Sequence, residues 1–167
     1  FRRVLFRSLG REVLLLDGDL GLANIDVMLG LVPRHTLADV VEGGVALEDI
    51  LMPVRPGLRV VPGASGIVSM AALGGHEHLG LVRAFSALTG QYEVLIVDTA
   101  AGISPGTLQL VQAAQHVLVV VCDEPASITD AYASIKALRN EFGIRRFRIV
   151  TNMTRRDGAG ERLFATL

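Results

Sequence analysis

Three carboxylates crowd the segment Leu14–Asp26, which reads LLLDGDLGLANID. Asp17 and Asp19 stand one residue apart at the end of an apolar run, and Asp26 follows a small-residue turn. Two like charges at the mouth of a buried strand repel each other and resist desolvation. A divalent cation nearby offsets that repulsion. A second apolar run, LIVDTAAG, also ends in an acid, Asp98, and turns tightly through Gly102. This is a Walker-B-like arrangement, whose carboxylate binds Mg²⁺, or orients water on it, beside nucleotide phosphates. Gly102 lets a backbone N–H approach the terminal phosphate. The plainer alternative for the pair is that Asp17 caps a loop and Asp19 is solvated.

Elements must bring these acids to one rim. Short continuous apolar runs at 12–17, 58–63, 92–98, 116–122 and 147–152 have the signature of strands buried on both faces. Between them lie helical patterns. Leu81, Phe85 and Leu88 recur at helical spacing, and Gly90 closes that element. Ser104 and Pro105 open a second helix. Ser127 and Asp130 form a capping-box pattern ahead of an apolar face of Ile128, Ala131, Ile135 and Leu138. TLADVVEGG and ALEDILM predict two short helices. The alternation predicts a doubly wound α/β domain with a mainly parallel sheet. Ligands bind such sheets at the carboxyl ends of the strands. Asp17, Asp19, Asp98, Asp123, Glu124 and Asn152 all fall there.

Half of the 167 residues are apolar and only 5% are aromatic, which suits buried parallel strands covered by helices. The formal net charge of −1 gives no global basic field for nucleic acid. The single cysteine, Cys122, excludes an internal disulfide framework and fits a reducing, cytoplasmic compartment. No apolar run reaches the ~20 residues that span a bilayer. The first eight residues, FRRVLFRS, translate back codon by codon into a sequence similar to a common sequencing adapter. Residues 1–8 are therefore expected to be non-native, with an incomplete domain over 9–167 and its start missing before Leu9.

The segments VLLLDGDLGLANIDVMLGL, VLIVDTAAGIS, DEPASITDAYASIKAL and VTNMTRRDGAGERLFATL resemble the MinD/ParA-type P-loop ATPases. More narrowly they resemble the FlhG/FleN branch, which regulates the number and placement of flagella. The resemblance covers nearly all of Leu9–Leu167. It implies ATP and Mg²⁺ as cofactors. Asp19 then positions the attacking water, and Asp17 lies near the Mg²⁺ shell. Asp98 is the Walker B acid, with Gly102 at the second switch; Asp17 and Asp98 would hold the ion through water. Asn24 and Asp26 lie near a dimer partner, Asn152 reads the adenine edge, and Pro125 lines the adenine pocket. The implied partners are a second copy bound through ATP, flagellar switch proteins, an FlhF-type GTPase and, in some bacteria, a flagellar transcription activator. The family also implies peripheral membrane contact through a C-terminal amphipathic helix; no specific nucleic acid is expected.

One departure is large. No Gly-x-x-x-x-Gly-Lys-Ser/Thr loop occurs, and the only lysine, Lys136, lies in a helix pattern. In the family that loop follows a central strand beside the Walker B strand. Without that strand, the edges of LIVD and LVVV are expected to be unpaired or forced together, and the chain to be unstable and inactive on ATP. Two other functions compete. A phospho-accepting receiver domain shares the early acid pair but needs a lysine after its fifth strand. A MinD- or ParA-type ATPase that positions division sites or chromosomes shares the whole pattern. The remaining signals have ordinary readings. His76 and His78 do not share a helix face, Cys122 is a small buried hydrophobe, the arginines at 145–148 and 154–156 are solvated, and the four methionines are packing.

Overall fold

The apolar run after Glu12 becomes strand β1, Val13–Gly18, and every residue in it is buried. In this computed structural model the residues described are 10–19, 22–63, 81, 83–88, 90–154 and 158–166. The segment 1–8, the histidines at 76 and 78, Met70 and the arginines at 155 and 156 lie outside them. The chain divides into two units, Phe1–Ala101 and Gly102–Leu167.

In the first unit β1 is followed by α1 (Ile25–Leu29), α2 (Leu37–Val41), a 3₁₀ turn (Leu47–Ile50), β2 (Met52–Arg55), β3 (Leu58–Val61) and β4 (Val94–Thr99). The sheet order is β2-β3-β1-β4. Strand β1 runs parallel to both β3 and β4, and β2 is antiparallel to β3. Successive side chains of β1 feed two cores. Leu14 and Leu16 pack with Leu37, Ala38, Leu47, Ile50, Val61, Leu81 and Leu88, while Val13 and Leu15 pack with Ile25, Leu58 and Val60. That is why the run is apolar without alternation. Thr36 caps α2 in a reciprocal box with Asp39. Leu81 and residues 83–87 are helical, in keeping with the helix expected there. At the far end of the sheet Glu93 joins β1 to β4. Its carboxylate accepts the Glu12 N–H at 3.1 Å and pairs with Arg11, and its own N–H donates to the Glu12 carbonyl at 2.9 Å. The hydrogen bond from Arg11, with that from Glu12, holds the Glu93 carboxyl below its ordinary 4.5.

The second unit contains α3 (Pro105–Ala113), β5 (Val117–Cys122), α4 (Pro125–Phe142), β6 (Phe147–Asn152) and α5 (Ala159–Thr166). Strands β5 and β6 pair in parallel, from Val117 opposite Phe147 to Cys122 opposite Asn152. Val121, Ala131 and Leu163 form its core, with Val119, Ile128 and Ile149 against them. On the other sheet face Leu118 and Val120 are 42% and 57% exposed.

Two expectations are placed more closely and one is corrected. ALEDILM holds a short 3₁₀ helix, Leu47–Ile50, and its last residue opens β2. Strand β3 ends at Val61, stopped as the sequence suggested by Pro62 and Gly63. Helix α4 begins at Pro125, because proline at the first helical position sets the start; Ser127 does not cap it, and its Oγ instead accepts the Cys122 N–H at 2.9 Å.

Candidate functional site

Strands β1 and β4 end together. Asp17 is the register partner of Asp98, and Gly18 that of Thr99. Register partners in adjacent parallel strands stand on the same face, about 4.8 Å apart along the hydrogen-bonding direction. The two acids therefore sit side by side at the carboxyl edge of the first sheet, on the face that carries Val13, Leu15 and Ile25.

Their surroundings differ. Asp98 is exposed. Asp17 is only 3% exposed, and its Oδ2 accepts the N–H groups of Asn24 and Ile25, both at 2.8 Å. Those N–H groups open α1, so the carboxylate supplies acceptors that the first turn lacks. Asn24 itself makes no side-chain cap. Asp19 lies just past the strand, half-buried, and its Oδ1 accepts the Leu22 N–H at 3.1 Å. Asp26 is half-buried and accepts the N–H of Val27.

Gly63 belongs to the same corner, and the sequence reading took it only as a strand stop. An ideal Cβ there would lie 2.4 Å from the Ala23 Cβ and 3.2 Å from the Asp17 Cβ and carbonyl oxygen. No side chain fits. Pro62, fully buried beside it, accepts the Leu37 N–H at 3.0 Å and fixes the end of β3 to α2.

Gly102 opens the second unit with φ 90°, a conformation that favours glycine, and nothing lies within 4 Å of where a Cβ would stand. Asn152 ends β6, exposed, opposite Cys122. Pro125 is the first residue of α4. Met153, immediately after Asn152, has φ 52°, the only positive value at a non-glycine among the described residues. The structure thus places Asp17, Asp19, Asn24 and Asp98 on one rim of the first unit, and Asn152 at a strand end of the second.

No group of three or more His, Cys, Asp or Glu among the described residues is placed to hold a metal by itself. Mg²⁺ does not require one. It keeps several waters and takes one or two carboxylates together with substrate phosphates. The exposed Asp98 carboxylate, with Asp19 just past the end of the neighbouring strand, fits that mode; Asp17 Oδ2 is already committed to backbone. Among the described residues no helix is long and apolar enough to cross a membrane.

No family model matches the chain. The antiactivator FleN of Pseudomonas aeruginosa is 55% identical to it over 160 residues, which are 96% of this chain and 57% of FleN. The flagellum site-determining protein YlxH of Helicobacter pylori is 34% identical over 127 residues, 76% of this chain and 43% of YlxH. The chain spans about half the length of these relatives. Among solved structures, the MinC:MinD cell division protein complex of Aquifex aeolicus superimposes with a TM-score of 0.79 at 28% identity, covering 98% of this chain and 68% of the other.

Proposed function

The chain belongs to the MinD/ParA-type P-loop ATPases, on their FlhG/FleN branch, and from that premise we propose that it is part of an ATP-dependent, dimerising switch that regulates the number and placement of flagella. The observation that carries the proposal is the pairing of Asp17 with Asp98 in register at the carboxyl edge of the first sheet. In this reading Asp98 holds Mg²⁺ through water, and Asp19 orients the attacking water. When bound, Mg²⁺ neutralises charge on the phosphate oxygens. The Gly102 N–H meets the terminal phosphate, the Asn152 amide reads the adenine edge, and Pro125 lines the base pocket. Asn24 faces a second copy. The resemblance puts Asp17 near the ion, whereas its hydrogen bonds support a backbone role.

A phosphate cradle is not encoded in these 167 residues. Among the described residues β4 has one strand partner, β1, and β5 has one, β6. Such outer strands support the reading that in the whole protein a further parallel strand, carrying the phosphate loop, pairs with β4. The receiver alternative loses support, because Lys136 lies within α4, ahead of β6.

The test is the coding sequence upstream of Leu9 and the protein it encodes. A Lys-Gly-Gly-x-Gly-Lys-Thr loop and Mg²⁺-dependent ATP hydrolysis, lost in Asp19→Ala with binding retained, are expected. Expression in a host lacking its flagellar-number regulator should restore the flagellar count seen by electron microscopy. Rescue of division-site placement instead, or salt-sensitive DNA binding, would move the protein to the positioning ATPases.

A further inference from the structure

We propose that Asp17, Ala23 and Gly63 form a clasp that positions the loop carrying Asp19, which makes Asp17 a positioning residue. The proposal rests on the ATPase reading only for the role of Asp19; the clasp itself stands on geometry.

The loop leaves β1 at Gly18 and must return to the sheet before α1. It returns at Ala23, Asn24 and Ile25. Ala23 is 3% and Ile25 1% exposed. Two contacts fix the return. Asp17 Oδ2 takes both N–H groups at 2.8 Å, and charge-assisted bonds to a buried carboxylate are the strong ones. Ala23 also presses against Gly63 so closely that a methyl on Gly63 would overlap the Ala23 Cβ at 2.4 Å. Gly63 is itself held, because its neighbour Pro62 is bonded to α2. The segment is thus gripped between the ends of β1 and β3. Asp19, whose Oδ1 bonds the Leu22 N–H at 3.1 Å, lies between the two fixed points.

This grip conflicts with coordination by the same oxygen. Oδ2 cannot turn to a cation without releasing both amides. The Asp17 carboxylate therefore organises the loop through Oδ2 and has only Oδ1 left to face an ion. An asparagine carbonyl at position 17 can still accept the two N–H groups, whereas alanine cannot.

The experiment is native-state amide exchange by NMR on the metal-free chain, with Leu15 in β1 as the internal reference. Wild type should protect the Asn24 and Ile25 amides. Asp17→Asn should keep that protection within about tenfold, and Asp17→Ala should lose more than that relative to Leu15. Gly63→Ala should lose it too, and the double variant Gly63→Ala/Ala23→Gly should recover part of it, because it removes the 2.4 Å overlap and leaves the 3.2 Å contacts with Asp17. The Leu22 amide resonance, which reports the Asp19 bond, should move in the two losing variants and return part of the way in the rescued one. If D17N opens these amides as far as D17A, or the double variant recovers nothing, the clasp is wrong. If Asn24 and Ile25 open while Leu22 stays unmoved, Asp17 does not position Asp19. None of these readouts needs nucleotide, so failure of the whole protein to bind ATP would sink the ATPase reading and leave the clasp standing.

Discussion

Adding Mg²⁺-ATP to this chain should raise its melting temperature by only about 1–2 °C at 1 mM nucleotide. A ligand that binds only the folded state stabilises it by RT ln(1 + [L]/Kd). In the proposed reading Asn152 supplies base contacts and Asp98 a metal contact, while the sequence has no lysine outside α4 and no Gly-x-x-x-x-Gly-Lys-Ser/Thr motif. Base and metal contacts alone correspond to an affinity of roughly millimolar, about −4 kcal/mol. At 1 mM ATP the stabilisation is then about 0.4 kcal/mol, and for a chain of this size 1 kcal/mol moves the melting temperature by about 2–4 °C. A micromolar site would give about 4.1 kcal/mol and a shift of about 8–16 °C. The two cases are far apart in a thermal scan followed by far-ultraviolet circular dichroism. A shift above about 5 °C that requires Mg²⁺, together with turnover, would refute the reasoning, since these residues would then grip a triphosphate without the loop.

Three other perturbations separate parts of the argument. Asp17→Ala should lower stability in urea by about 2–4 kcal/mol, the buried Ile25 N–H carrying more of the loss than the part-buried Asn24 N–H, and Asp17→Asn should cost clearly less. The Glu93 carboxyl is held below its ordinary 4.5, so its contribution is complete above that pH and disappears as the pH falls through the folded-state value; Arg11→Ala should flatten stability against pH in that acid range, in urea titrations run between pH 3 and 6. Val120→Lys, on the uncovered face of the second sheet, should reduce concentration-dependent light scattering and leave the melting temperature nearly unchanged, because Val120 is 57% exposed.

Strand β1 could be seen in the sequence because it serves two cores. Leu14 and Leu16 feed one and Val13 and Leu15 the other, so β1 had to be apolar throughout and announced itself. Strand β2 did not. Met52–Arg55 contains Pro53, is nowhere fully buried and pairs only with β3 as the antiparallel edge, where proline is tolerated. Ser127 and Asp130 satisfied a local capping pattern, but Pro125 had already begun the helix and Ser127 was taken by the Cys122 amide. Gly63 was legible as a break and not as a contact, since its neighbour Ala23 is 40 positions earlier in the chain. Spacing showed that Asp17 and Asp98 end strands; only sheet order shows that those strands are adjacent.

That adjacency changes what the paired acids mean. Two acids in register at adjacent strand ends invite the view that both carboxylates serve one ion, because both face the same electrostatic cost. Here the cost is divided. Asp17 is buried and meets it with two backbone donors, and in doing so gives α1 acceptors for its first turn. Asp98, exposed on the next strand, keeps the water access that a magnesium site uses. Exchange of the two roles is not symmetrical: an asparagine preserves the first by geometry and abolishes the second by charge. Comparing Asp17→Asn with Asp98→Asn in the whole protein is therefore decisive. Mg²⁺-dependent hydrolysis should survive the first substitution and fail in the second. Equal loss in both would mean that the buried carboxylate leaves its amides when the nucleotide arrives, and that α1 is released in the same step.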